Sequence, residues 1–475
     1  MPKSHDDTDL CYLTASEAIA GFKAGTYSPV DVLNAQMARI ETHNPALNVI
    51  THTYFEEALD QAHAAQARYR SGDSLRPLEG VTCAIKDYHA LKGKVTTCGS
   101  KMFEHFVPDN TAPTVERLQE AGAIVHCRTT TPELGYCFIT ASPLWGISRN
   151  PWNPERTPGG SGGGGAGAVA AGMATISDGT DAGGSVRLPS SLCGLYGFKP
   201  PFGRNPLDRE HPGEELLHYG PIARSVADCA LMQNVMSGPH RADIYTVRDK
   251  VVLPARYDGI EGMRIAFSMD FGYCEVDPEV QENARAAADI FRSLGCTVED
   301  VDPGLTWDVL EAVETLWESL LWASFGAALP KWRDQLDPFL AKLIEKGKDR
   351  TVSDLIWTRK IKYEAYQKIA PILESYDLLI APATAIPAPP ADRKNDDPLT
   401  INGKPVPTYL GWGMTYPFNL MSQHPVMSVP SGFCRNGVPT GLQVIGKTFD
   451  DLSVFRAAAA YEGVLRLWQN HRPKL

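Results

Sequence analysis

The sequence lacks the features that mark several large classes of protein. It contains no run of about 18 apolar residues, so we expect no helix that spans a membrane. The N-terminal segment has no apolar stretch suited to a secretory signal peptide. Lys and Arg do not cluster and the formal net charge is −11, which disfavours nucleic acid as the main partner. These absences predict a cytoplasmic protein without a membrane or nucleic-acid partner.

Sequence signatures of metal sites and of disulfide frameworks are also missing. The ten cysteines form no C-x-x-C pair, and the twelve histidines show neither HxxxH nor HExxH spacing. We therefore expect no metal site and no cofactor, and we expect buried free thiols in a reducing compartment. Apolar residues make up 43% and charged residues 21% of the 475 positions, which is ordinary for a globular chain with a large core.

Helical and strand-like patterns alternate along the chain. A capping box at Thr14-Ala-Ser-Glu17 predicts one helix start, and Ser28-Pro29 predicts the next, with Asn44-Pro45 ending that helix. The apolar run Gly80–Asp87 and the later segment "YDLLIAPAT" have the character of buried strands. The alternation predicts an α/β fold with a mostly parallel or mixed central sheet.

No long low-complexity linker divides the chain. We therefore expect a single domain over residues 1–475, which includes an N-terminal helical segment, residues 1–75. Residues 306–376 are largely helical in pattern and rich in Trp and Leu. This insertion is interpreted as a lid or as the face of a homodimer, with ordinary core packing as the commoner alternative.

A segment with eleven glycines, residues 157–191, requires an explanation. A flexible linker is excluded because the glycines continue into "AGAVAAGMATI", a helix-then-strand pattern that needs burial. Gly160–Gly165 matches G-x-G-x-x-G, but the preceding "RNPWNPERTP" is too rich in proline to be the strand that a dinucleotide fingerprint requires. Gly159–Gly163 matches the G-x-S-x-G nucleophile elbow and lacks the same strand.

The end of this segment, "DAGGSVR", has residues suited to attack on an amide. An amide carbonyl is a poor electrophile, so its hydrolysis needs an activated nucleophile and donors for the oxyanion. Ser185 can be the nucleophile, and Gly183 and Gly184 let backbone amides approach closely. No histidine is near Ser185 in sequence, although a distant one stays open as the base. Lys86, at the end of a predicted strand, is the alternative if burial lowers its pKa from ~10.4 to about 7–8.

Taken together, "PGGSGGGGAGAVA" and "GTDAGGSVRLPSSLCG" resemble the signature of the amidase signature family of serine hydrolases. "AIKD" at residues 84–87, "DLLIAPAT" and "GVPTGLQVIG" are similar to further landmarks of that family, in the same order. The resemblance extends from residue 10 to the C-terminus. It implies the amidase-signature fold, in which helices cover both faces of a mixed, mostly parallel sheet.

The resemblance also implies a catalytic triad. Carried over to this chain, Lys86 is the base, Ser161 is a serine in a cis peptide that relays the proton, and Ser185 is the nucleophile. Many members have a serine where this chain has Gly162, and Gly165 stands where a small polar residue is common. These two glycines leave the triad intact but affect the hydrogen bonding around the cis peptide.

Supporting roles follow from the same resemblance. The oxyanion hole is expected from the backbone amides of Ala182, Gly183, Gly184 and Ser185. We interpret Asp181 and Arg187 as a pair that braces the nucleophile loop. Cys193 has no basic neighbour in sequence to activate it, so we expect it to serve in packing.

Candidates for substrate binding come from two regions. Gly135, Tyr136 and Cys137 lie in the segment that contributes to the acyl pocket in the family. Near the C-terminus, Trp412, Tyr416 and Phe418 could build an apolar pocket for an aryl or alkyl group, with core packing as the alternative.

We therefore expect an amidohydrolase that cleaves a small or an aryl or alkyl amide through an acyl-enzyme on Ser185. The products are a carboxylic acid and ammonia or an amine, and anilides, esters or carbamates fit the same machinery. The alternative is the glutaminase component of a tRNA-dependent amidotransferase complex, which the same family contains. The expected partner is a small-molecule amide.

Overall fold

The computed structural model describes residues 7–209, 211 and 214–475. The helices are α1 Asp7–Cys11, α2 Ala15–Ala24, α3 Pro29–Leu47, α4 Phe55–Ser71, α5 Pro113–Glu120, α6 Gly163–Ala170, α7 Arg187–Cys193, α8 Val226–Met236, α9 Pro278–Ser293, α10 Asp308–Phe325, α11 Leu329–Trp332, α12 Pro338–Gly347, α13 Val352–Ser375, α14 Pro417–Leu420, α15 Asp451–Leu465 and α16 Leu467–Asn470. The strands are β1 Ile50–Thr53, β2 Thr82–Lys86, β3 Ile124–Thr129, β4 Ala141–Ser142, β5 Gly146–Ile147, β6 Ile176–Asp181, β7 Tyr196–Lys199, β8 His218–Ala223, β9 Arg264–Phe267, β10 Thr297–Asp300, β11 Leu378–Pro382, β12 Thr400–Ile401, β13 Lys404–Pro405, β14 Val426–Phe433 and β15 Pro439–Ile445.

Helix α3 begins where the sequence predicts and ends later. Ser28 caps it with a capping box, as expected from Ser28-Pro29. The predicted end at Asn44-Pro45 is wrong, because the helix continues to Leu47 with Pro45 inside it. Asn48 then adopts a left-handed conformation and donates its backbone N–H to Asn44 O at 2.7 Å. Pro45 has no N–H to donate to Glu41 O, so the helix continues through its last turn with one hydrogen bond fewer.

A single eleven-stranded sheet forms the centre, in the order β1-β3-β2-β6-β8-β7-β14-β15-β11-β9-β10. The expected mixed sheet is confirmed, but the expectation that it is mostly parallel is wrong. Within the described residues, parallel pairing is confined to β2 with β3 and β6 and to β9 with β10 and β11. The other neighbours are antiparallel, in part because a tight turn at Asn436-Gly437 folds β14 and β15 into a hairpin.

Hydrophobic clusters cover both faces of this sheet. Along β11, Leu378 and Ile380 join one cluster, whereas Leu379 and Ala381 join the other, as the two-residue period of a strand requires. Helices α5, α8, α9 and α15 pack in the first cluster, and α10, α12 and α13 pack in the second. The expected layering of helices on both faces is therefore confirmed.

The insertion at residues 306–376 is helical, as its pattern indicates, and forms α10 to α13. Much of its apolar surface belongs to the core on one face of the sheet. None of the helices in the described part of the chain is long and apolar enough to cross a membrane.

Candidate active site

Adjacent parallel strands bring Lys86 next to the glycine-rich loops. Lys86 is the last residue of β2, and Thr180 is near the end of the neighbouring strand β6. The lysine side chain is fully buried, and its Nζ donates hydrogen bonds to Ser161 Oγ at 2.7 Å and to Thr180 Oγ1 at 2.5 Å. Thr180 was not identified from the sequence, because only the strand pairing reveals that it faces the lysine.

The surroundings of Lys86 favour its neutral form. Burial lowers the pKa of Lys86 to about 7, even though the nearby carboxylate of Asp178 acts to raise it. Asp178 Oδ1 accepts the backbone N–H of Lys86 at 2.8 Å, and burial raises the pKa of Asp178 to about 7. A substantial share of Lys86 side chains can therefore accept a proton at neutral pH.

Ser161 follows a cis peptide bond from Gly160. A Cβ at Gly160 would come within 2.6 Å of Cys137 O, so only glycine fits this approach without a shift. Gly162 donates its backbone N–H to Ser185 O at 3.1 Å, and a Cβ there would overlap that same oxygen. Position 162 is thus closed to a side chain by the nucleophile loop.

Ser185 lies in the loop between β6 and α7 and is 6% exposed. Gly184 has φ +134°, and a Cβ there would overlap Thr415 Oγ1. Thr415 Oγ1 in turn donates to Gly183 O at 2.6 Å. No described residue accepts a hydrogen bond from the four backbone amides of residues 182–185. These four amides are the ones that the sequence analysis expects to form the oxyanion hole.

Asp181 and Arg187 form a buried bidentate ion pair at the base of this loop. Arg187 donates from Nε to Asp181 Oδ2 at 2.9 Å and from Nη2 to Oδ1 at 2.8 Å. Burial alone would raise the pKa of Asp181, but the Arg187 guanidinium holds it below its ordinary value. Arg187 also reaches Thr415 O, Asn419 Oδ1 and Gln443 Oε1. These contacts tie the nucleophile loop to β15, to α14 and to Thr415 just before α14.

A small cavity of about 30 Å³ adjoins Ser185. Its wall includes the three residues that the sequence analysis proposed from the segment before the glycines, which are Gly135, Tyr136 and Cys137. It also includes Val313 and Trp317 of α10, which sequence reasoning did not single out. The amphipathic pattern of α10 is visible in the sequence, but hydrophobic periodicity alone does not show which edge of the sheet the helix covers.

Trp412 and Tyr416 are not among the residues that line this cavity. Trp412 is 1% exposed and packs edge-on against Phe138, with ring centroids 5.6 Å apart. Tyr416 is fully buried and accepts a hydrogen bond from the Tyr273 hydroxyl at 3.1 Å. The core-packing alternative describes both of them, and Phe418 as well, since it is also fully buried.

Histidine and cysteine side chains near the site make other contacts. His218 Nδ1 lies 3.1 Å from Asp181 O, and burial lowers its pKa to about 3. His89 Nε2 lies 3.2 Å from Asp178 Oδ2. Cys193 is fully buried in α7, and burial raises the pKa of its thiol, which suits packing.

The chain is similar to known proteins in sequence and in overall structure. The family model described as Amidase matches residues 31–455. An acylamidase of Rhodococcus erythropolis is 31% identical, with 98% of each chain covered. A glutamyl-tRNA(Gln) amidotransferase subunit of Chloroflexus aurantiacus is also 31% identical, over 98% of this chain and 99% of that one. The crystal structure of a bacterial aryl acylamidase of the amidase signature family matches with a TM-score of 0.90 and 29% identity, covering 96% of this chain and 97% of that one.

Proposed function

Because the chain belongs to the Amidase family, whose model spans residues 31–455, we propose that it hydrolyses acyl amides through an ester intermediate on Ser185. It is a hydrolase that acts on carbon–nitrogen bonds. The observation that carries the finer proposal is the buried Lys86 amine, 2.7 Å from Ser161 Oγ. Ser185 lines the neighbouring cavity, where a substrate carbonyl would lie next to the nucleophile.

Acylation begins with neutral Lys86. The lysine takes the proton of Ser161, and Ser161 takes the proton of Ser185 as the Ser185 oxygen attacks the carbonyl carbon. The backbone amides of Ala182, Gly183, Gly184 and Ser185 donate to the oxygen that becomes negative. When the tetrahedral intermediate collapses, the carbon–nitrogen bond breaks. The departing nitrogen receives the proton back from Lys86 through Ser161.

Deacylation repeats the relay with water. A water molecule gives its proton through Ser161 to Lys86 and attacks the ester carbon. The bond to Ser185 then breaks, and its oxygen recovers the proton. A carboxylic acid and an amine or ammonia are the products, and one base serves both half-reactions.

The uncharged lining of the cavity favours an amide with an uncharged acyl group over glutamine. The residues that line the cavity at Ser185 are apolar or uncharged, and none of those described there carries a positive charge. The α-carboxylate of glutamine would need such a partner. We therefore propose a small-molecule amide as the substrate, in the cytoplasm, without a required partner chain.

Hydrolysis of an acyl anilide by the purified chain alone tests this proposal. Ser185→Ala should abolish turnover and leave the melting temperature nearly unchanged. Ser191→Ala is the matched control, since its buried hydroxyl donates to Leu188 O within α7. Retained turnover in the Ser185 variant, or none in the parent chain with any amide, would overturn the proposal.

A further inference from the structure

Asp178 joins the two ends of the turn that follows the lysine strand. Its Oδ1 accepts the backbone N–H of Lys86 at 2.8 Å, and its Oδ2 lies 3.2 Å from Nε2 of His89. All three side chains are buried. His89 comes three residues after Lys86, and its own backbone N–H donates to Lys86 O at 3.2 Å. One carboxylate therefore contacts both the first and the last residue of this turn.

The sheet shows why a side chain, and not a neighbouring strand, holds the backbone of Lys86. The parallel pairing of β2 with β6 ends at Ala84 and Ser177. Two residues later, the Asp178 carboxylate accepts the Lys86 N–H in the place of a backbone carbonyl of β6. Thr180, two residues further along β6, accepts a hydrogen bond from the lysine Nζ. The backbone of the base and its amine are thus both fixed by side chains of one strand.

The His89 ring is held beside this carboxylate. It packs edge-on against the ring of Tyr219 on β8, with the ring centroids 4.3 Å apart. The backbone oxygen of His89 accepts a hydrogen bond from Arg128 Nη2 at 2.8 Å. Among the described residues, neither His89 Nε2 nor Asp178 Oδ2 has another hydrogen-bond partner. Since buried polar atoms are almost always paired, these two atoms satisfy each other.

We infer that Asp178 and His89 are positioning residues for the base, in which His89 orients the Asp178 carboxylate and the carboxylate keeps Lys86 within hydrogen-bonding distance of Ser161. The inference rests on the proposed function, because it adds two residues to the same site. Neither residue lines the cavity at Ser185, so they influence the reaction through Lys86 and not by binding the substrate.

The charge states of the three groups determine the direction of the effect on Lys86. Burial and the nearby Lys86 amine lower the pKa of His89 well below its ordinary value, so the ring is neutral and donates from Nε2. Burial raises the pKa of Asp178 to about 7, whereas the Lys86 N–H acts to lower it. The carboxylate in turn acts to raise the pKa of Lys86. Loss of the histidine N–H would leave Asp178 more often protonated, and the pKa of Lys86 would then fall.

Other titratable groups face Lys86 and stay in place when the pair is changed. Cys98 and Asp181 act to raise the pKa of Lys86. The centre of the Tyr88 ring lies 5.4 Å from Lys86 Nζ. Asp181 is already held by its bidentate ion pair with Arg187. None of these groups contacts the backbone N–H of the lysine, which Asp178 alone accepts among the described residues.

The groups that face His89 and Asp178 come from neighbouring elements. Arg128 and His211 act to lower the pKa of His89, and Arg128 also acts to lower that of Asp178. The buried thiol of Cys83 faces Asp178 as well. Substitution of His89 by a neutral residue leaves each of these charges unchanged, so any shift of the pH profile reports the contact with Asp178.

Two substitutions at His89 separate positioning from the filling of space. His89→Leu removes the ring nitrogens, whereas His89→Gln keeps an amide N–H for the Asp178 carboxylate. With an acyl anilide, His89→Leu should lower kcat by about 10- to 100-fold and change KM little, because the base is misplaced while the binding surface is intact. The pH at which kcat/KM falls should also move lower, as in Asp178→Asn. His89→Gln should restore most of the lost kcat and return the inflection toward that of the parent chain.

A matched control and a double variant locate the effect. His126 is equally buried, but its Nε2 lies 2.9 Å from the backbone oxygen of Met173 and not from a carboxylate. His126→Gln should therefore leave the pH profile of kcat/KM unchanged. Since His89 acts through Asp178, adding His89→Leu to Asp178→Asn should cost far less kcat than it costs the parent chain. Equal costs in the two backgrounds would overturn this order of action.

The tautomer of His89 is measured by nitrogen NMR on the unmodified enzyme, so this result does not depend on whether His89→Leu folds. The signal is assigned by its loss in His89→Gln. At a pH of about 8, above the pKa of Asp178, we expect a neutral ring with its proton on Nε2. A proton on Nδ1 would overturn the pairing with Asp178.

The outcomes distinguish this inference from the proposed function. If the parent chain hydrolyses no amide, the function is removed, and the tautomer of His89 can still be read. In an active parent chain, an unchanged kcat and an unchanged pH profile in His89→Leu would overturn the inference alone. Equal losses in His89→Leu and His89→Gln would mean that the ring only fills space, which would overturn it as well.

Discussion

The Nζ atom of Lys86 lies 2.7 Å from the Oγ atom of Ser161, and both side chains are buried. Adjacent parallel pairing of β2 and β6 sets this relationship, because it aligns the end of the lysine strand with the glycine-rich loops. Desolvation lowers the pKa of this buried amine to about 7, so a substantial share of it is neutral at neutral pH. Lys86 and Ser161 can then transfer a proton without the help of a charged histidine.

Activity should depend on pH through Lys86. Its pKa is lowered to about 7, and only the neutral amine can act as the base. The kcat/KM should therefore be constant at alkaline pH and should fall as pH drops through about 7. The profile is measured with an acyl anilide between about pH 5 and 9. Asp178→Asn removes a charge that raises the lysine pKa, so the inflection should move to lower pH.

Lys86→Met should separate activity from stability. The variant should lose kcat/KM by about 10² to 10⁴ or more, since it lacks the base. The wild-type lysine has a lower pKa when folded than when unfolded, so the unfolded chain binds more protons between about pH 7 and 10.4. Wild-type stability is thus reduced as pH falls through this window. A higher melting temperature for Lys86→Met at pH 7 is expected, and a lower one would contradict the assigned burial cost.

In the Arg187→Ala variant, the region of the nucleophile loop should unfold at a low concentration of denaturant. The change leaves the Asp181 carboxylate buried without its bidentate partner, which costs about 3–5 kcal/mol. Urea unfolding followed by circular dichroism measures the loss. Arg292→Ala removes an exposed pair with Asp289 and should change the midpoint little. Equal effects of the two variants would argue against a bracing role for Arg187.

Gly162→Ser should impair the enzyme, although a serine is common at this position in the family. The new Cβ would overlap Ser185 O, so the nucleophile loop must shift. We expect a loss of about 1–3 kcal/mol in the free energy of unfolding and a lower kcat. Thermal melting and acyl anilide kinetics measure both. Gly259→Ser, at a site with open space around its Cα and without a left-handed φ, controls for the added hydroxyl. Normal activity in Gly162→Ser would show that the loop tolerates the shift.

Local sequence patterns predict the secondary-structure elements well and the strand directions in the sheet less well. The helix starts at Thr14 and at Ser28 are confirmed, because each depends on neighbouring residues. Strand direction depends on how distant segments pair, and no local pattern reports it, so the sheet is more antiparallel than expected. Pro45 shows the same limit on a small scale, because the helix continues to Leu47 past a proline that local rules predict as its end.

In the candidate site, too, the sequence predicts the residues that lie in short motifs and misses those that depend on tertiary contacts. Lys86, Ser161 and Ser185 are marked by short motifs with chemically informative spacing, so the sequence suffices to nominate them. Thr180 and Trp317 reach the site only through strand pairing and helix docking, which the sequence does not report. Aromatic residues such as Trp412 are of a type that is common in ligand pockets, but here they are packed in the core. Only tertiary structure distinguishes these two locations.

The protonation state of Lys86 is the central claim, and NMR titration of its side chain in the intact enzyme tests it most directly. The Lys86 signal is assigned by its loss in Lys86→Met and is followed as pH is raised. The account predicts a midpoint at about 7. A midpoint near the ordinary value of about 10.4 would mean that the amine is charged at neutral pH and cannot be the base.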